Sequence, residues 1–287
     1  MRFLFVDHIT ALVPSVSVRG VKHVSHQDPY LCLDATGRWC FMPSLIGEAL
    51  GQLAAWNVMS SGDFKQRPVA GLASLACLYR SAYVGETILL ESHIDSLDAS
   101  AVQYHSVARV ADEVIFTIDG ALGPLLPLEE FSDPLEVREQ FRAIYRPDEP
   151  VLLVSKGGEV STAARVPSME FDSILECEGH MRLCAEKRIL PDAPYFPDHF
   201  PRKPVLPMTV LLECILNLAG TWVASRGTYA VRTLRNIKMS DFIKPNDLVR
   251  CTLTVKHDHQ DELVLRCRCE VEGRRVCVLE LQFYPQG

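Results

Sequence analysis

Residues 195–223 read YFPDHFPRKPVLPMTVLLECILNLAGTWV. From Thr209 to Val223, removing Thr209, Glu213, Asn217 and Thr221 leaves almost nothing polar. Those four lie four apart, on one slowly drifting stripe of a helix. A surface helix carries a broad polar face, whereas one that is apolar nearly all round is buried. The segment is therefore expected to be a core helix holding a single carboxylate. Desolvation disfavours the charged form, so such a carboxylate is raised toward the range of a proton donor. The competing reading is a structural glutamate bonded to backbone or to the amide four residues on. The loop ahead adds an imidazole: His199 stands between Pro197 and Pro201, flanked by Phe196 and Phe200, at 213 − 199 = 14 residues before Glu213. Proline stiffens the loop, and histidine is the default base near neutral pH. An isolated histidine is commonly just packed or exposed; the aromatic-proline frame and the adjoining helix favour chemistry here.

The same device occurs earlier. SLIGEALGQLAAW places Ser44, Glu48 and Gln52 four apart in an otherwise apolar run. An offset of 165 carries Pro29-Tyr30 to Pro194-Tyr195, Asp7 to Asp172, Ile9 to Ile174, Glu48 to Glu213 and Gln52 to Asn217. Further on, Gly85-Glu86 answers to Asn246-Asp247 at offset 161, followed in both halves by alternating strands such as Thr252 to Val255. The chain is thus expected to hold two related α+β units: residues 1–125, a connector over 126–160, and residues 161–287. Prolines 124, 127 and 134 should end the first unit's last strand, since proline cannot donate to a ladder. Leu135 to Tyr145 reads as a short surface helix and Lys156 to Glu159 as a turn. Buried carboxylates at matching positions of a duplication make function a better reading than structure for both.

Composition narrows the classes. The 287 residues are 48% hydrophobic and 23% charged, which excludes wholesale disorder and leaves room for about two domains. A net charge of −7 argues against general affinity for nucleic acid or anionic membranes. No apolar run is long enough to span a bilayer; Val210 to Val223 is interrupted by Glu213 and Asn217. Met1 to Val13 carries Asp7 and His8 and lacks a small-residue cleavage site, so no signal peptide is expected. The ten cysteines show no zinc-like pairing, Cys267 and Cys269 sharing one strand face. They read as free thiols of a cytoplasmic protein, with no metal expected. His257 and His259 lack a third ligand and read as a polar hairpin tip, and His23 and His26 as surface residues.

On these residues the chain resembles a known family. YFPDHFPRKPVLPMTVLLECILNLAG is similar to the active-site segment of the hotdog-fold beta-hydroxyacyl-acyl carrier protein dehydratases. These show a His-Phe-Pro loop, a Pro-Gly at the helix start and an acidic residue 14 after the histidine. MPSLIGEALGQLA resembles their central helix, and the first thirty residues their opening. The resemblance implies a double hotdog: two antiparallel sheets, each wrapped around a central helix, packed as a pseudo-dimer. It also implies reversible loss of water from a (3R)-hydroxyacyl thioester to give a trans-2-enoyl thioester, with no cofactor beyond the phosphopantetheine of an acyl carrier protein. Histidine would take the C2 proton, the acid would protonate the leaving hydroxyl, and amides at the helix start would polarise the carbonyl.

In that family, base and acid come from opposite subunits. Carried over, His199 should work with Glu48 and Gln52, because 199 − 165 = 34 is Asp34, with no histidine for Glu213 to partner. Phe200, Pro207, Met208 and Asn217 are the further substrate-binding candidates. The family's Pro-Gly is Pro207-Met208 here, and Arg202 replaces the glycine after His-Phe-Pro. Arg202 and Lys203, with Arg235, Lys238 and Lys244, form a candidate rim for an acidic carrier protein. The rival readings are a hotdog acyl thioesterase and a non-catalytic acyl-binding or assembly partner. The pathway, whether fatty-acid or polyketide, and the choice between monomer and homodimer are open at this level.

Overall fold

The computed structural model describes residues 3–149 and 168–286. The expected turn at Lys156 to Glu159 lies outside them. The first half runs β1 (His8–Val13), β2 (Ser17–His23), the hairpin β3 (Leu31–Leu33) and β4 (Trp39–Phe41), then α1 (Pro43–Ser61). After it come β5 (Gln66–Pro68), β6 (Leu72–Leu78), β7 (Thr87–Leu97), β8 (Ala101–Val110) and β9 (Glu113–Pro127). Helix α2 (Pro134–Ile144) leads on toward β10 (Ser173–Glu178), β11 (Arg182–Arg188) and α3 (Met208–Ala224). The second half closes with β12 (Tyr229–Met239), β13 (Leu248–His259), β14 (Glu262–Val271) and β15 (Arg274–Pro285).

The duplication is visible in the strand order. From one edge the sheet runs β1-β2-β7-β8-β9-β6, and from the other β10-β11-β13-β14-β15-β12. The numerical offsets hold at the level of single hydrogen bonds. Ile9 faces Gly20 and Ile174 faces Ala185, with the register slipping after Ile9 and Ile174 alike. Asp7 accepts from the His23 amide and Asp172 from the Arg188 amide. Val24 N donates to Glu86 O, and Ile189 N to Asp247 O, which carries both offsets in a single bond.

The double-hotdog architecture is present, with one refinement: the two sheets do not merely pack. The strands β6 and β12 pair antiparallel from Leu72–Lys238 to Cys77–Thr233, making one continuous antiparallel sheet. Each half's sheet curls around its helix, and α1 and α3 meet along the middle. Both helices are buried over most of their length because their apolar side chains have a sheet on one side and the other helix on the other.

Two expectations need correction. Strand β9 does not stop at Pro124 but continues to Pro127, because the short strand β5 lies against it and the prolines need only accept there: Val69 N donates to Pro124 O. His23 and His26 are half-buried rather than on the surface, His23 Nδ1 lying 2.9 Å from Thr87 Oγ1. Cys267 and Cys269 have a third thiol beside them, Cys251 from β13, at 3.6 Å from the Cys267 sulfur; all three are fully buried. The connector helix α2 is as expected, capped by Asp133, whose carboxylate accepts from the Leu135 amide. No helix among the described residues is long and apolar enough to cross a membrane.

Candidate active site

A cavity of about 660 Å³ runs between the two halves, lined by α1, α3 and both sheets. Into it project Glu48, Gln52, His199, Phe200, Met208, Thr209, Glu213 and Asn217. Most of its wall is apolar: Trp56, Phe116, Ile118, Leu212, Leu234 and Ile237 are examples.

Glu48 is held from both sides of the pseudo-dimer. Thr209 Oγ1, at the start of α3, donates to its Oε2 at 2.6 Å, and Gln52 Nε2 donates to its Oε1 at 3.0 Å. Burial pushes its carboxyl above the usual range, while these donors and the charge of Arg67 oppose that shift. The mirror contact is weaker: Glu213, 4% exposed, accepts from the Ser44 amide at 3.0 Å and is also raised by burial. Ser44 and Thr209 are 165 apart, so each helix start donates to the other helix's glutamate.

His199 stands across the cavity. Its Nδ1 lies 3.1 Å from the Val205 carbonyl, which can only accept, so in the neutral ring Nδ1 carries the proton and Nε2 offers a lone pair. Burial first, then the nearby Arg67 charge, pushes its pKa down to about 3, which keeps it a free base. The next residue, Phe200, has φ +63°, a left-handed conformation that a bulky side chain rarely adopts. That strain is offset by packing, since the Phe200 ring lies against Phe131 at 4.9 Å and stacks on His199 at 4.0 Å.

Several placements go beyond the sequence reading. Gln52 has its whole amide engaged, accepting from Phe5 N and donating to Phe3 O and Glu48, so it orients the acid and anchors the chain's opening. Phe3 in turn meets the His199 ring edge-on at 5.7 Å, and its amide donates to Asp198. Asn217 donates to Met169 O. Pro207 caps α3, and Met208 lines the cavity where the family has glycine. Arg202 is paired with Asp133 and Lys203 with Glu130, so the candidate rim is joined to the connector. Arg67, on β5, was not a sequence candidate; it lines the cavity and its charge reaches both Glu48 and His199. The only sequence signal for it is a basic residue next to Pro68 in a run that does not read as a strand. The exposed histidines His257 and His259 stack at the end of β13, away from this cavity.

A sheet curled around a buried helix, twice, with a carboxylate and an imidazole facing one shared cavity, is a double hotdog fold with a candidate site between its halves. The ApeI-like dehydratase family matches residues 176–278, and the 3-hydroxyacyl-(acyl-carrier-protein) dehydratase FabZ of Thermoanaerobacter sp. (strain X514) is 30% identical over 118 residues, 41% of this chain and 83% of that protein. The chain belongs to this dehydratase family of hotdog proteins. Among solved structures, the 12:0-ACP thioesterase from Umbellularia californica is similar at TM-score 0.56 and 10% identity, covering 94% of each chain. A MaoC-like dehydratase is similar at TM-score 0.52 and 11% identity, over 86% of this chain and 84% of its own. At such identities these structures show the fold and not the reaction.

Proposed function

We propose that the chain dehydrates (3R)-hydroxyacyl thioesters, carried on the phosphopantetheine of an acyl carrier protein, to trans-2-enoyl thioesters. His199 Nε2 takes the C2 proton, and protonated Glu48 gives its proton to the departing C3 hydroxyl. What carries the reading is the pairing across the halves: Glu48 of α1 and His199 of the second half face one cavity, which Arg67 also lines. Glu213 has Asp34 where a base would stand, so one site per chain is proposed. A buried acid raised by desolvation and a base kept neutral are the protonation states that the reaction needs. The likeness to 3-hydroxyacyl-(acyl-carrier-protein) dehydratases supports a role in fatty-acid-type chain synthesis.

The test is a chain-length series of (3R)-hydroxyacyl thioesters, following enoyl product and free thiol together. Enoyl formation without thiol release supports the reading. Thiol release without enoyl product would make the chain an acyl thioesterase instead, and binding with neither product would make it an acyl-binding partner.

A further inference from the structure

Arg67 is the unexplained charge of the cavity. Its strand β5 pairs with the end of β9, Arg67 opposite Leu126, so its backbone is fixed by a ladder. The guanidinium lies over the Phe200 ring at 4.0 Å and within 5.9 Å of Phe131, which holds its plane. Its Nε has no hydrogen-bond partner among the described residues. The residue is half-buried and lines the cavity, and burial pulls its pKa down to about 9, opposed by Glu48. Buried cations are normally paired, and one left with free donors in an apolar wall is costly unless a ligand supplies acceptors. Glu48 is not that acceptor: its oxygens accept from Thr209 and Gln52, and no hydrogen bond or ion pair joins it to Arg67.

We infer that Arg67 is a third catalytic residue, donating to the thioester oxygen and stabilising the enolate that forms when C2 loses its proton. This rests on the dehydratase reading above. In that reaction His199 serves C2 and Glu48 serves the oxygen on C3, which leaves the oxygen on C1, one bond from C2, to a donor on the same cavity wall; Arg67 lines that wall and packs on Phe200, the ring on which His199 also stacks. The C2–H pair moves into a C1–C2 double bond, its charge resting on the thioester oxygen against the guanidinium. It then returns to form C2=C3 as the C3–O bond breaks, and the Glu48 proton completes the water. Substitution of Met208 for the glycine that lets a thioester approach the helix start makes a side-chain donor the more useful.

The experiment separates enolate formation from water loss. A saturated acyl thioester of N-acetylcysteamine has an exchangeable C2 proton but no leaving hydroxyl, so its exchange in D₂O, read by NMR, needs His199 and the oxyanion donor but not Glu48. Arg67→Met is expected to slow this exchange roughly 10²–10³-fold, the cost of losing an oxyanion donor. Arg67→Lys should recover part of it, and Glu48→Gln should leave it largely intact. A second readout is the acid limb of the wild-type and Arg67→Met pH profiles, which should move up in the variant because a cation beside His199 is gone. Glu48, which the same charge lowers, also rises in the variant, but an acid that must be protonated moves the alkaline limb and not the acid one; Tyr30, Tyr104 and Asp198, the other ionisable groups nearby, are common to both proteins. Unaltered thermal melting excludes misfolding of the variants. Wild-type exchange rates in Arg67→Met would overturn the inference while leaving the dehydratase reading intact. So would a defect confined to acyl chains bearing a carboxylate, which would make Arg67 an anion-binding specificity residue. Exchange by the wild type with no enoyl product from any hydroxyacyl thioester would instead sink the dehydratase reading alone.

Discussion

Glu48 and Glu213 are equivalent by sequence and unequal by neighbour. Glu48 faces His199 and Arg67; Glu213 faces Ser44 and the half of the cavity where Asp34 replaces a base. Glu48→Gln is therefore expected to lower kcat by about 10²–10⁴-fold, the usual worth of a positioned acid, while Glu213→Gln retains most turnover. Both carboxyls are raised in the native state, so they favour it below the unfolded carboxylate pKa and lose that contribution as pH rises. At neutral pH Glu213→Gln should accordingly be no less stable than the parent in urea melts. His199 has the opposite sign. Its native pKa lies near 3, below the unfolded value, so between about pH 6.5 and 3 the unfolded chain binds a proton that the native chain refuses. Stability should fall on acidification through that window, and less steeply in His199→Phe. Equal pH slopes of parent and variant would refute the buried neutral imidazole.

At the level of elements, α1, α3 and α2 were legible because their apolar spacing and their prolines mark them, and Pro43 and Pro207 stand at the starts of the two long helices. The β5–β9 ladder was not. Three prolines in Pro124 to Pro134 argue against a strand, and three residues of β5 are too few for a period to show. That ladder exists because edge strands tolerate proline where only its carbonyl is used. It is also what places Arg67. Close backbone contact holds the region together: a Cβ on Gly123 would lie 2.7 Å from the Val69 carbonyl. Gly123→Ala should thus push β5 from its seat, costing roughly 1–3 kcal/mol in unfolding free energy by the usual penalty for overpacking. Turnover should drop more than stability alone explains, measured at a temperature where the variant is fully folded. The catalytic loop is braced in a similar way, since the Arg202 amide and side chain reach Phe131 O and Asp133 in the connector.

For the whole molecule, the candidate site is shared by both copies: Glu48 comes from the first half, His199 from the second, and one sheet runs through β6 and β12. Surface charge acts at this scale too. Arg202 and Lys203 are neutralised by Asp133 and Glu130, but exposed pairs of this kind are each worth only about 0–1 kcal/mol, so an acidic carrier can compete for them. Arg202→Glu with Lys203→Glu should weaken carrier-protein binding, and salt should weaken it in the parent, both read by titration calorimetry. Activity on small N-acetylcysteamine thioesters should survive the double substitution; binding insensitive to both changes would place the carrier elsewhere.

By itself, the sequence determined the duplication, the two buried-helix carboxylates, the histidine loop and the asymmetry at Asp34. These are local signals, carried by spacing and by residue type along one stretch of chain. Tertiary structure alone decided that Thr209 holds Glu48, that Phe3 meets His199 edge-on at the cavity wall, and that Arg67 lines the same cavity as Glu48 and His199. The reason is physical. Each of these contacts joins residues from different strands or halves, and its strength depends on desolvation and distance, which spacing along the chain does not encode.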